Sequence, residues 1–300
     1  MKIGIMAPLG SPFATPEYIV TLGTEAEARG FTSLWVPEHV VLFDEYASKY
    51  PYSSDGRLAA PPDVGPLEPF TALAFLASHT RTIRLGTGVC LVPQRNPVYT
   101  AKEVACLDWL SNGRVDFGVG VGWLAEEFAA LGVPFERRGA RAREYIEVMR
   151  RLWCDPSSEY HGEFYDLPPC RQYPKPLQQP HPPVHFGGES DPALKRVADL
   201  GQGWYGFNLD PDRTRERLAR LDALLADRGR NRSEVAISIS PPWSQPVTLD
   251  QVEQFRALGV DQVIVTVLSA SPDDLRQALD YYAVTLVEPS REELSRGRRP

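Results

Sequence analysis

The chain has 300 residues, 43% hydrophobic and 24% charged, with a formal net charge of −7. That balance is enough for a sizeable apolar core, as one large domain or two small ones, and an acidic excess with no lysine- and arginine-rich stripe argues against a nucleic-acid binder, though it leaves room for a local basic patch. No apolar run reaches the roughly 18 residues a membrane-crossing helix needs and no leader pattern opens the chain, so a cytoplasmic protein with no membrane partner is expected.

Short β-branched runs alternate with longer segments whose apolar residues recur every three or four positions. In chain order, the spacing predicts a strand over 2–6 and a helix over 16–29, then strand 33–37 and helix 68–79, strand 83–92 and helix 97–110, strand 115–121 and helix 137–153. The second half continues with strand 184–187 and helix 191–200, strand 203–207 and helix 211–228, strand 235–240 and helix 249–258, and strand 262–267 and helix 272–287. A capping residue precedes proline at Thr15-Pro16, Asn96-Pro97, Asp191-Pro192, Asp210-Pro211 and Ser271-Pro272, and Gly30, Gly201, Gly229 and Gly259 close helices. Strict alternation of eight such pairs predicts an α/β fold, a (β/α)8 TIM barrel, as a single domain over 1–288. An open doubly wound sheet fits less well, because the first turn, APLGSPFATP, has no GxGxxG.

Two connections exceed the usual few residues, 38–67 and 154–183, and read as long loop insertions after the second and fourth strands. Residues 289–300, with Arg291, Arg296, Arg298 and Arg299, read as a frayed C-terminal tail. The cysteines Cys90, Cys106, Cys154 and Cys170 and the five histidines show neither CxxC nor HExxH spacing, so neither a disulfide framework nor a metal site is expected.

In such a barrel the chemistry sits where the strands end. Glu38-His39 follows the second strand, where an imidazole can relay a proton near neutral pH; by itself the pair reads equally as a cap or a solvated pair. Gly86-Thr87-Gly88-Val89 strips side chains from the third strand, either for a flat ring resting on bare backbone or for tight packing. Gly118, Gly120 and Gly122 before Trp123 clear one face of the fourth. Gly187-Gly188-Glu189 runs into a helix start, a common way to hold a phosphate. Together these describe a rim for a flat, extended, phosphorylated cofactor.

The segments WVPEHV (35–40), TRTIRLGTGVCLVPQRNPVYTAKEVACLDWLSNGRVDFGVGVGWLAEEFAALGVPFERRGAR (80–141) and HFGGESDPALKRVADLGQGWYGFN (185–208) resemble the luciferase-like flavin and deazaflavin oxidoreductases, and most closely their F420-dependent branch. The resemblance implies the barrel, F420 as cofactor, hydride transfer between the deazaflavin C5 and a small organic substrate, and a homodimer. By position it implies that His39 is catalytic with Glu38 orienting it. It implies a non-prolyl cis peptide at Gly88–Val89 behind the ring, with Gly86 and Thr87 beside it, and cofactor phosphate at Gly187 and Gly188 next to Glu189. Gly120, Gly122, Trp123, Glu126 and Glu127 fall where relatives line the cofactor or substrate face. An FMN-dependent monooxygenase and a non-catalytic flavin- or deazaflavin-binding protein are the alternatives. Phe43, Tyr46, Tyr50 and Tyr52 suit either a lid or rim packing. Arg137, Arg138, Arg141 and Arg143 suit either an anionic cofactor tail or a solvated face paired with Glu136, Glu144 and Glu147. Ser240 and Trp243 stay open.

Overall fold

A computed structural model describes residues 1–59, 61 and 63–291. The chain runs β1 (Lys2–Met6), α1 (Pro16–Ala28), β2 (Ser33–Val36), α2 (Pro69–His79), β3 (Arg84–Thr87), β4 (Cys90–Leu91), α3 (Pro97–Ser111), β5 (Val115–Gly120), α4 (Ala125–Ala130) and α5 (Arg138–Cys154). It continues β6 (Ser158–His161), β7 (Asp166–Cys170), β8 (Val184–Gly187), α6 (Asp191–Leu200), β9 (Gly203–Phe207), α7 (Pro211–Ala226), β10 (Ala236–Ser240), α8 (Leu249–Ala257), β11 (Gln262–Thr266) and α9 (Pro272–Tyr282).

Parallel pairing runs β3-β2-β1-β11-β10-β9-β8-β5, and β3 pairs β5 to close an eight-strand (β/α)8 TIM barrel. β4 resumes the third stave and pairs with β5 through Cys90↔Val119 and Leu91↔Gly120. The register sets Ile5 beside Leu34, Leu34 beside Leu85 and Leu85 beside Val115, so each strand turns an apolar side chain outward onto the helices. Start signals hold these helices as their chemistry requires: the side chains of Thr15, Asn96, Asp210 and Ser271 accept first-turn N–H groups. The cap of α6 is Ser190 rather than Asp191, which lies inside the first turn.

The lumen has its own small core of Met6, Trp35, Tyr205 and Ile264. This corrects the reading of the glycines. A Cβ on Gly86 would sit 2.5 Å from the Trp35 ring, one on Gly118 would sit 1.9 Å from the Thr87 carbonyl oxygen, and one on Gly120 would sit 2.5 Å from a Val89 methyl. These positions are bare because lumen side chains and backbone from neighbouring strands already fill the space.

The 38–67 insertion lies at the mouth. The 154–183 insertion follows α5 and so lies partly at the opposite end, where Gln178 Nε2 donates to Val115 O at the start of β5 at 2.8 Å. It also forms an antiparallel hairpin, β6–β7, that the sequence pattern did not show. The short α4 was likewise not expected. The expected fray does not hold for residues 289–291: residues 288–291 are helical, Ser290 is buried and Arg291 donates to Gly30 O. The remainder of that tail lies outside the described residues. Among the described residues, no helix is long and apolar enough to cross a membrane.

Candidate active site

The strand ends and the 38–67 insertion enclose a cavity of about 690 Å³. Its apolar walls include Met6, Leu42, Leu58, Phe207, Trp243 and Leu268, and bare backbone enters at Gly88, Gly187 and Gly188. The polar side is supplied by Glu38, His39, Tyr50, Tyr52, Trp123 and Tyr205. The Gly88–Val89 peptide between β3 and β4 is cis.

His39 leaves the end of β2, and α4 brings up its partner. His39 Nδ1 lies 3.1 Å from Glu127 Oε2, and the Glu127 side chain is fully buried. Glu127 Oε1 accepts the Val40 N–H at 2.6 Å and the Val41 N–H at 3.3 Å, while Gln94 Nε2 donates to Oε2 at 3.0 Å. Burial pushes the Glu127 carboxyl up, but the hydrogen bond and charge of His39, with Gln94 and Val40, more than offset it, and the group titrates below the usual carboxylate range. An ionised carboxylate accepts, so the network assigns the proton to Nδ1 and leaves Nε2 as the nitrogen with no partner among the described residues. The Trp123 ring stands edge-on to the imidazole at 5.9 Å.

Glu38 does not orient His39. It is buried, its Oε2 accepts the Leu91 N–H, and its Oε1 accepts Arg95 Nε at 2.7 Å. Arg95 also reaches Glu68 at 2.6 Å and Glu103 at 2.9 Å. Glu38 therefore ties the end of β2 to β4 through an ion-pair network, and its carboxylate is already engaged.

Of the other residues singled out from the sequence, Gly88, Val89, Trp123, Gly187 and Gly188 line the cavity, whereas Gly86, Thr87, Gly120, Gly122 and Glu189 do not. The Thr87 hydroxyl donates to Gly118 O at 2.6 Å. Gly122, at φ 76°, needs its left-handed backbone, and its carbonyl accepts Arg138 Nε at 3.0 Å. Glu189 accepts the Phe207 N–H at 2.8 Å and the Tyr52 hydroxyl at 2.9 Å, and burial raises its carboxyl above the ordinary range. Glu126 accepts the Ala47 N–H at 2.6 Å and the Ser48 N–H at 3.2 Å, which fastens the insertion to α4. Trp243 borders the cavity, and Ser240 is buried at the end of β10. Tyr46 and Tyr50 pack edge-on against Trp123 at 5.6 and 5.1 Å, and Tyr50 and Tyr52 line the cavity, so these aromatics pack on the rim and cover the site at once.

The sequence reading missed the His39–Glu127 pairing, Gln94 and Tyr205. Only a helix too short to announce itself brings Glu127 to residue 39. One buried polar atom at the cavity, Trp123 Nε1, has no partner among the described residues, and the Tyr205 hydroxyl lies beside Ser240. Burial raises the Tyr205 phenol above its ordinary pKa, which keeps it a protonated donor. A broad, flat ligand with hydrogen-bonding edges fits this set: bare backbone on one side, apolar walls, and the Trp123 Nε1 donor left over.

The model of the family described as luciferase-like monooxygenase matches residues 1–254. An uncharacterized protein of Mycobacterium tuberculosis is 34% identical over 264 residues, covering 87% of this chain and 91% of that protein. Among solved structures, monooxygenase RslO1 from Streptomyces bottropensis superposes with a TM-score of 0.77 at 22% identity, covering 97% of this chain and 100% of that one. An F420-dependent secondary alcohol dehydrogenase in complex with an F420-acetone adduct gives 0.77 at 17% identity, covering 95% and 98%. At these identities the two structures show a shared fold.

Proposed function

The chain belongs to the luciferase-like monooxygenase family, and from the resemblance of residues 35–40, 80–141 and 185–208 to its F420-dependent branch we propose that it is an F420-dependent oxidoreductase acting on a small organic substrate. When bound, F420 supplies a two-electron hydride exchange at C5. Its ring would rest on Gly88-Val89 and on Gly187-Gly188, with Trp123 Nε1 and the Tyr205 hydroxyl as hydrogen-bond donors.

The observation that carries this reading is the His39–Glu127 pair opening onto the cavity. A substrate that loses a hydride from carbon also loses a proton from its oxygen or nitrogen, and His39 Nε2 is the unengaged base positioned to take it. Glu127 holds the ring by Nδ1 and stabilises the imidazolium that results, and in the reverse direction the same imidazolium returns the proton. Tyr50, Tyr52 and Trp123 keep water from the reacting face.

The family's description as a monooxygenase supports a second reading, in which the cofactor is FMN. Titration of the purified protein with F420 and with FMN, followed by quenching of tryptophan fluorescence, separates the two. The proposal expects F420 to bind at least tenfold more tightly, and the reverse order overturns it.

A further inference from the structure

The first turn of the barrel, APLGSPFATP, holds no phosphate-type glycine loop, and its apolar residues have another place. Leu9, Phe13 and Ala14 line a second hollow of about 400 Å³ beside the active-site cavity, within the range of about 300–1,000 Å³ that small-molecule sites occupy. Tyr18 of α1, Val64 of the 38–67 insertion and Val267 after β11 also line it. Pro8, Pro61, Val64 and Leu268 line both spaces, so the two meet along these side chains. Leu268 is 64% exposed, which makes the border a ridge open along its top rather than a sealed wall. The insertion is pinned at this seam. Leu67 N–H donates to Leu9 O at 2.9 Å, Ser11 N–H donates to Gly65 O at 3.0 Å, and Gly10 and Pro66 form an antiparallel bridge. A Cβ on Gly10 would lie 2.9 Å from a Val64 methyl, so glycine is what lets the two segments close.

The lining selects the chemistry of the occupant. Among the described residues, no charged side chain lines the hollow, and its two hydroxyl groups, Tyr18 and Ser269, are bonded to each other at 2.8 Å. None of its side-chain polar atoms is buried without a partner. A polar or ionic group entering would give up water and find no side chain left to replace it, whereas a hydrocarbon gives up nothing. The active-site cavity agrees. No lysine or arginine among the described residues lines it, and its one carboxylate, Glu38, is held by Arg95. An anionic substrate would therefore meet no cation in either space.

A third hollow, of about 310 Å³, lies on the other side of Leu268 and Trp243. It is a poorer place for hydrocarbon. Gln245, Tyr281 and Tyr282 line it, and so does Thr266, whose buried hydroxyl has no partner among the described residues. Covering these groups with hydrocarbon would strand them.

We propose that the substrate is uncharged and carries an aliphatic arm, which crosses Leu268 into the hollow walled by Leu9, Phe13, Ala14 and Val64 while the reacting carbon stays at His39. The pocket stands on its own lining, and its use by the substrate rests on the function proposed above. The probes are straight-chain methyl ketones from butanone to nonanone, which an oxidised cofactor does not turn over. Calorimetry measures their binding to protein loaded with F420, or with FMN should that ring bind more tightly. Affinity in wild type should rise about fourfold for each added methylene, and a flat series overturns the proposal. Two variants fill the hollow: Ala14→Phe, and Ala270→Phe, whose site is exposed and so leaves the core untouched. Each should cut the nonanone-to-butanone affinity ratio by about tenfold or more, while Gln245→Phe in the third hollow should leave it within about twofold. An equal ratio in all four proteins, or a fall in Gln245→Phe alone, gives the arm another place and overturns the proposal. The longest ketone should bind about tenfold or more tightly than the same chain ending in a carboxylate, and equal affinity overturns the uncharged class. If the ketones follow this pattern while no corresponding alcohol reduces bound F420, the F420 reading fails and the pocket stands.

Discussion

His39 is held by one nitrogen and has no partner at the other among the described residues, and that asymmetry is what its partner Glu127 provides. Replacing His39 by alanine should leave cofactor affinity within about twofold and lower turnover by about 10²–10⁴-fold, the usual worth of a positioned acid–base group. A fall in affinity matching the fall in turnover, measured by fluorescence titration beside steady-state rates, would instead make His39 a binding residue. Gly86 predicts a different outcome. Alanine there meets the Trp35 ring at 2.5 Å, and overpacking of this kind costs about 1–3 kcal/mol. Urea unfolding should show that loss with little change in cofactor affinity, whereas weakened binding at unchanged stability would restore Gly86 to the ligand site. At this scale the sequence marked His39 and the cavity glycines Gly88, Gly187 and Gly188. It misassigned Gly86 and Gly120, because a pattern along one strand does not reveal the Trp35 or Val89 side chain arriving from elsewhere. Glu38 was misassigned for the same reason: the group it holds, Arg95, lies beyond α2, β3 and β4.

The insertion after β2 is fastened to α4 by two adjacent carboxylates, Glu126 and Glu127, with Tyr52 bonded to Glu189 on the far side. The Glu127 pKa is lowered in the folded state, so its contribution is complete above the ordinary carboxylate pKa of about 4.3 and is lost as pH falls through the lower folded value. Trp123 emission should therefore be steady from neutral pH down to about 5 and change reversibly below about 4, as the loop loosens. Glu127→Gln keeps an acceptor for Val40 but removes the charge, and should shift or abolish that transition; an unchanged transition would place its origin elsewhere. The barrel elements were legible because each strand and helix carries its own periodicity and caps. α4 and the β6–β7 hairpin were not, since six residues of helix and strands of four and five are too short for a period to register.

Over the whole molecule, α2 and α3 carry exposed apolar side chains, although Trp109 Nε1 donates to Lys175 O and Phe75 packs against His79. Tyr99, Leu110 and Trp109 of α3 are 73%, 68% and 51% exposed, and Phe75 of α2 is 38% exposed. We propose that a second copy of the chain covers this face in a homodimer. Light scattering should give twice the chain mass for wild type and the single-chain mass for Leu110→Glu; a monomeric wild type refutes it. The central claim is that the His39–Glu127 pair serves hydride exchange in the cavity at the barrel mouth. It is tested most directly by a single-turnover reaction, with wild type and His39→Ala loaded to equal F420 occupancy, followed at the deazaflavin absorbance after substrate is added. The account expects rapid exchange in wild type and a rate at least a hundredfold slower in the variant. Equal rates, or an absorbance that no substrate alters in wild type, would contradict it.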